Sequence, residues 1–323
     1  MTVIAYESDG DLAALRGARV AVLGYGNQGR SWALNLRDSG LDVTACVRAD
    51  ATRAQAEADG FDTQEVEAAA TADVICILIP DDAIPLLTLE PRPDALVVVA
   101  SAYTLAFDRF DPACDVGLVA PRMLGPEVRL CYEEGIGFIT AFGVHRDATG
   151  RARERTLAVA LAIGGLRQGA IELTPRQEAI LDLGVEQALS PALRHVSQSF
   201  VQVMLEQGIP LEAIITELVL SGEVERTYRL VREEGYAAQM EHHSPTSQYG
   251  QLSRSREYEH LDVAGKMREL VDGITSGRFA DEWDAERDDG YPNFQRLKAE
   301  AVGPAVAEFE QDLRRRLGQG ARP

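Results

Sequence analysis

The sequence predicts an α/β domain built on a parallel sheet, followed by an all-helical domain. Three observations carry this: strands apolar on both faces alternate with helices in the first half, a glycine-rich turn joins the first long strand to a helix, and strand signal disappears near residue 175. The chain has 323 residues, which suits two domains. Residues 19–23 (Arg-Val-Ala-Val-Leu) read as a buried strand, and 27–39 as a helix carrying Trp32, Ala33 and Leu36 at helical spacing, with Gly40 at its C′ position. A strand at 41–47 and a helix at 51–59 closed by Gly60 follow, then a helical stretch at 63–70. Residues 73–79 form a continuous apolar strand ended by Pro80; 96–100 and 116–119 are strands, and 138–142 and 171–173 complete the set. Helical patterns then run through 175–189, 191–207, 210–234, 260–274, 279–287 and 293–317, punctuated by Pro210, Pro245 and Pro292. The expected division is 1–174 and 175–323, without a low-complexity linker or repeat.

Composition narrows the function. Apolar residues make up 46% and charged residues 26%, as in ordinary globular chains, and the net charge is −19. A chain this acidic repels phosphate backbones, so nucleic acid is not expected as a partner. The one basic run, Arg314-Arg315-Arg316, sits before a Gly/Pro-ended tail and reads as a solvated helix end. The four cysteines, at 46, 76, 114 and 131, contain no C-x-x-C pair and read as reduced and mostly buried. With no export signal and no apolar run near the ~20 residues of a membrane span, a cytoplasmic protein is expected.

Gly24-Tyr25-Gly26-Asn27-Gln28-Gly29 follows the first buried strand and opens a helix, the context in which G-x-G-x-x-G signifies a Rossmann dinucleotide site. Gly24 permits the tight turn, Gly26 lets a pyrophosphate approach the backbone, and Gly29 lets the helix pack on the strand. The helix N-terminus then offers N–H groups to the phosphates. At the end of the second strand, Arg48, Thr52 and Arg53 suit a 2′-phosphate, which favours NADPH. Asp50 would repel it, so NADH stays open. Ile79, Pro80, Asp81 and Ser101, at the ends of later strands, are expected along the cofactor.

The helical half carries acids. Asp182 and Glu186 stand at i and i+4 on one helix face. They read either as a solvated stripe or as a pair of hard oxygen ligands for Mg²⁺. Glu217 lies in the very apolar run 213–220, where a carboxylate needs a partner. Facing helices that project acids inward can build a metal site.

These stretches resemble ketol-acid reductoisomerases (acetohydroxyacid isomeroreductases) of the short class over nearly the whole chain. The matching segments are 24–40, 56–61 and 73–82, Val119-Ala120-Pro121, Tyr132-Glu133-Glu134-Gly135, and Asp182 with Glu186-Gln187-Ala188. Further on they are Pro210 with Glu217, Ser244 with Tyr249-Gly250, and 277–283. The resemblance implies a Rossmann domain joined to a knotted helical domain that forms a homodimer, with NADPH and one or two Mg²⁺ ions as cofactors. It implies isomerisation and reduction of a 2-hydroxy-2-alkyl-3-oxo acid to a 2,3-dihydroxy acid in branched-chain amino acid biosynthesis. Asp182 and Glu186 then match a bridging aspartate and its partner, Glu217 the first glutamate of the second helix pair, and Ser244 a substrate-contacting serine; Arg122 stands in the catalytic loop.

Four departures mark the site as divergent. Where the family has a second glutamate one turn after the first, this chain has Ser221, with Glu223 and Glu225 nearby. Where it has a catalytic histidine after the strand at 96–100, this chain reads Ser101-Ala102-Tyr103-Thr104. Its lysine loop reads Ala120-Pro121-Arg122-Met123-Leu124-Gly125-Pro126, and arginine cannot tune protons as lysine can. His242 and His243 flank Ser244, either as surface residues or as substitutes for the missing acid–base or metal-binding function. Two alternatives accompany the main reading: a repurposed relative that reduces another ketone, oxo acid or imine without isomerisation, for example in specialised metabolism, and a non-catalytic nucleotide-binding protein.

Overall fold

A computed structural model describes residues 2–302 and 304–318; the Gly/Pro-ended tail at 319–323 lies outside the described residues. The chain divides into two compact units, Met1–Asp182 and Leu183–Pro323.

The first unit is built on one nine-stranded sheet. Its strands are β1 (Ile4–Ala5), β2 (Arg19–Leu23), β3 (Asp42–Cys46), β4 (Asp62–Gln64), β5 (Val74–Ile77), β6 (Leu96–Val99), β7 (Asp115–Pro121), β8 (Thr140–Arg146) and β9 (Ala170–Glu172). The spatial order is β1-β9-β8-β7-β6-β5-β2-β3-β4. From β4 to β7 every pairing is parallel. That run has the doubly wound order whose direction reverses between β2 and β5, which opens a crevice at their carboxyl ends. β5 and β6 are buried at every position, as their uninterrupted apolar runs require. Beyond β7 the sheet becomes mixed, because β8 runs antiparallel to β7 and β1 antiparallel to β9.

Helices α1 (Asn27–Asp38), α2 (Ala51–Ala58), α3 (Tyr103–Ala106), α4 (Gly125–Glu133), α5 (Ala152–Ala162) and α6 (Pro175–Gly184) complete this unit. On α1, Trp32, Ala33 and Leu36 are fully buried, so the spacing read from the sequence is the face that packs. Removing a side chain of Trp32's size from such a site costs about 3–5 kcal/mol.

One segment differs from its sequence reading. Residues 63–70, read as helical, begin as β4 and continue as a 3₁₀ turn over Val66–Thr71. β4 is a short edge strand with two of its three residues exposed, so it carries no apolar alternation to betray it.

The second unit is helical throughout its described residues. It contains α7 (Ser190–Glu206), α8 (Leu211–Ile215), α9 (Glu223–Glu234), α10 (Tyr236–Met240), α11 (Pro245–Ser255), α12 (Val263–Thr275), α13 (Arg278–Asp288), α14 (Pro292–Val302) and α15 (Pro304–Arg316). The pattern at 210–234 is broken by Gly222, whose φ of +75° ends one helix before α9 begins. α10 and α11 fall where the sequence showed no clear period. Two turns, Val185–Leu189 and Thr216–Leu220, are π-helical.

Candidate active site

The glycine-rich turn sits at the crevice between β2 and β5. Gly24 has φ +93°, and a Cβ on it would lie 2.6 Å from Ile79 Cγ2 and 2.7 Å from the Leu78 carbonyl oxygen. A Cβ on Gly29 would lie 2.1 Å from the Gly24 carbonyl oxygen, so the helix start is pressed onto the turn. Beside Gly26, by contrast, there is open space. α1 begins immediately afterwards at Asn27, with Gly26 as its N-cap.

Tyr25 turns inward rather than toward the crevice. It is 4% exposed, its ring meets Phe61 edge-on at 5.8 Å, and its hydroxyl donates to Asp59 at 3.0 Å. Arg30 grips the same carboxylate through two hydrogen bonds of 2.7 and 3.0 Å. The hydrogen bond from Arg30 holds Asp59 down to about 2, and burial raises the Tyr25 hydroxyl. Gln28 donates to the Met123 carbonyl at 3.2 Å.

At the end of β3 the polar residues are unequally committed. Asp50 caps α2, accepting from the Thr52 amide at 2.9 Å and the Thr52 hydroxyl at 2.6 Å. Arg53 donates to the Val47 carbonyl at 2.6 Å and to Glu65 at 2.8 Å. The Arg48 side chain is 86% exposed and approaches Asp50 only to 3.7 Å.

Along the carboxyl edge, the ends of β5, β6 and β7 meet α6. Asp81 follows β5, and Ser101 follows β6 and donates to it at 3.2 Å. Arg122, just beyond β7, donates to Asp182 at 2.9 Å and to Glu178 at 2.5 Å. Glu178 also accepts the Ala102 amide at 3.1 Å, so one carboxylate ties the turn after β6 to the loop after β7. Glu178 is 2% exposed. Burial raises its pKa while Arg122 opposes the rise. Burial likewise pushes Asp81 up to about 6, helped by the charges of Glu178, Asp182 and Asp82 and opposed by the Ser101 hydrogen bond.

Sequence reasoning missed Glu178. Its signal was its place one helical turn before Asp182, which gives α6 two acids on one face. It missed Gly125 as well: a Cβ there would meet the Asn27 backbone at 2.4 Å, so α4 starts against the start of α1. Ser31 reinforces that contact by donating to the Gly125 carbonyl at 2.7 Å.

The remaining candidates belong to the second unit. Glu186 and Glu217 each stand in one of the two π-helical turns, a distortion frequent at functional sites. Ser221 hydrogen-bonds to the Glu217 carbonyl at 3.3 Å and accepts the Glu223 amide at 3.2 Å, so it stitches the π turn to the start of α9. Glu223 and Glu225 lie in the exposed first turn of α9. Ser244 caps α11 through the Ser247 amide. His242 pairs with Glu234 at 2.8 Å, and the His243 ring meets the Gln239 amide at 2.8 Å.

Asp182, Glu186 and Glu217 offer only carboxylate oxygens, which suit a hard cation such as Mg²⁺. Asp182 is 45% exposed and so is reachable by an ion, whereas Glu178 is not. Among the described residues, no group of three or more His, Cys, Asp or Glu side chains is already gathered to hold a metal. Two clefts of about 360 and 350 Å³ lie elsewhere; the first, lined by Arg16, Asp73, Arg151 and Arg155, is at the amino edge of the sheet.

A doubly wound sheet with this turn, followed by a helical unit carrying acids, defines a dinucleotide-dependent oxidoreductase. Residues 14–169 match the acetohydroxy acid isomeroreductase NADPH-binding domain, and residues 176–318 match the ketol-acid reductoisomerase C-terminal domain. The chain belongs to the ketol-acid reductoisomerase family. It is 36% identical to a ketol-acid reductoisomerase (NADP(+)) of Caldivirga maquilingensis, over 99% of this chain and 100% of that one. It is 34% identical to a ketol-acid reductoisomerase (NAD(P)(+)) of Metallosphaera sedula, over 97% of this chain and 93% of that one. Among solved structures, an NADH-preferring ketol-acid reductoisomerase from an uncultured archaeon superimposes with a TM-score of 0.90, at 29% identity, covering 97% of this chain and 98% of that one.

Proposed function

We propose that the chain converts a 2-hydroxy-2-alkyl-3-oxo acid to a 2,3-dihydroxy acid, using NADPH as reductant and Mg²⁺ as the metal. The observation that carries this is the carboxyl edge itself, where the glycine-rich turn, Ser101 and Arg122 lie at neighbouring strand ends of one sheet and Arg122 holds Asp182 of α6. The open space at Gly26 and the free N–H groups of α1 would take the pyrophosphate. Asn27, Gln28, Ile79 and Pro80 would border the dinucleotide. Arg48 is the group best placed to meet a 2′-phosphate, since Arg53 and Thr52 are already engaged; NADH is the alternative donor.

Asp182, Glu186 and Glu217 would hold Mg²⁺, which when bound polarises the substrate oxygens as a Lewis acid. Arg122 holds the Asp182 carboxylate in place and supplies fixed positive charge beside the substrate carboxylate. Ser244 would contact the substrate. The expected division of labour places the cofactor domain at 1–174 and the metal, substrate and dimer domain, knotted as in the family, at 175–323.

A homodimer through the helical unit is supported by α7. It buries no residue along 17 positions, and Leu193, Val196, Phe200 and Val203 are 43–62% exposed on one stripe. A cytoplasmic location is supported by four unbridged cysteines. Among the described residues no helix is long and apolar enough to cross a membrane.

The test is turnover of acetolactate with NADPH and Mg²⁺. Asp182→Asn should lower it by about a hundredfold or more while dinucleotide binding persists; unchanged turnover would remove Asp182 from the metal site. Reduction of a 3-hydroxy-2-oxo acid without turnover of acetolactate would select the repurposed-reductase reading, which Ser101 and Ser221 favour. Dinucleotide binding with no carbonyl reduced would select the non-catalytic one.

A further inference from the structure

We propose that Ser101 delivers the proton that accompanies hydride transfer, and that Asp81 behind it is the reservoir from which that proton is drawn. The inference rests on the reductase reading above. It begins with the hydrogen bonds around one hydroxyl. Ser101 Oγ accepts the Tyr103 amide at 3.3 Å and donates to Asp81 Oδ2 at 3.2 Å. A serine hydroxyl has two acceptor positions and a single proton. While Asp81 is a carboxylate, that proton is committed to it. Once Asp81 is protonated, its O–H becomes the donor. The two lone pairs of Ser101 are then filled by Tyr103 and Asp81, and the serine proton turns outward to a third acceptor.

The place supplies that acceptor. Ser101 follows β6 at the carboxyl edge, where a doubly wound sheet holds its ligand. Hydride from the reduced nicotinamide forms the new C–H bond at the substrate carbonyl carbon, and the π pair moves onto the oxygen. That oxygen takes the Ser101 proton as Ser101 takes the Asp81 proton. The products are the alcohol, the oxidised nicotinamide and the Asp81 carboxylate, which water reprotonates.

The charged groups around Asp81 keep it fit for this role. Asp82 lies beside it and Glu178 acts on it from α6, and both favour its protonated form; the charge of Asp182 does so only until a metal neutralises it. Arg122, from the end of β7, is engaged by Glu178 and Asp182. Burial is the largest effect and acts in the same direction, toward a carboxyl group that holds its proton up to about pH 6.

The experiment combines a direct titration with kinetics. In metal-free buffer, the ¹³C carboxyl spectrum of the wild type compared with that of Asp81→Asn isolates the Asp81 titration. It is expected near pH 6, and higher in Ser101→Ala, which removes the bond that favours the carboxylate. A titration in the ordinary aspartate range overturns the proposal whatever the activity. With Mg²⁺ and NADPH, reduction of a 3-hydroxy-2-oxo acid should show kcat falling toward alkaline pH with a solvent deuterium effect. Asp81→Asn and Ser101→Ala should each lower kcat tenfold or more and abolish that limb, while the melting temperature holds. Either variant keeping both kcat and limb overturns the proposal. A wild type that reduces no oxo acid would sink the reductase reading and this proposal with it. A wild type that turns over alongside unaltered variants would sink this proposal alone.

Discussion

On the proposed reading, cofactor choice turns on Arg48. Its neighbours are spent: Thr52 on Asp50, and Arg53 on Glu65 and the Val47 carbonyl. Arg48→Glu should therefore raise KM for NADPH about fivefold to tenfold, modest because an exposed side chain is screened, and leave KM for NADH nearly unchanged. Steady-state kinetics with both donors checks this, and equal changes would place the 2′-phosphate elsewhere. Gly29→Ala should destabilise the first unit by about 2–3 kcal/mol, because the new methyl would overlap the Gly24 carbonyl oxygen; urea unfolding measures it. The packing roles of Gly24 and Gly29 were legible in the sequence because each follows from the geometry of one turn. Tyr25 was not: a tyrosine in such a turn reads as a cofactor contact, and only the position of Asp59, thirty-four residues on, turns its hydroxyl inward. Glu178 was illegible for a similar reason. Its partners, Arg122 and the Ala102 amide, reach it only through the sheet order.

Between elements, the Arg30–Asp59 pair fastens α1 to the end of α2. Asp59 has its folded-state pKa lowered, so the stabilisation is complete above the ordinary aspartate value of 3.8 and drains away as pH falls toward about 2. Asp59→Asn should lower stability at neutral pH and flatten its decline across that acid window, as thermal melts at stepped pH would show. A decline as steep as in the wild type would assign it to other carboxylates. The parallel core strands were readable because burial on both faces leaves uninterrupted apolar runs. β4 and β1 escaped, being short edge strands whose pairing rather than composition makes them strands. The π turns escaped as well. Val185–Leu189 and Thr216–Leu220 keep a nearly helical apolar pattern, and the single extra residue that widens each turn leaves no mark in composition.

For the molecule as a whole, the change of character near residue 175 was visible in the sequence, while the exposed stripe of α7 appears only once burial is known. If the proposed homodimer forms through this stripe, Val196→Asp at its centre should shift the mass measured by light scattering from dimer toward monomer. A mass unchanged down to low concentration would move the interface to another face. One contact also carries a consequence for redesign. The backbones of Gly125 and Asn27 touch so closely that neither the loop bearing Arg122 nor the start of α1 can be rebuilt alone. A library meant to switch this enzyme between nicotinamide donors has latitude at Arg48. At positions 27, 28, 31 and 125, variation tuned for the coenzyme would also shift the loop that carries Arg122.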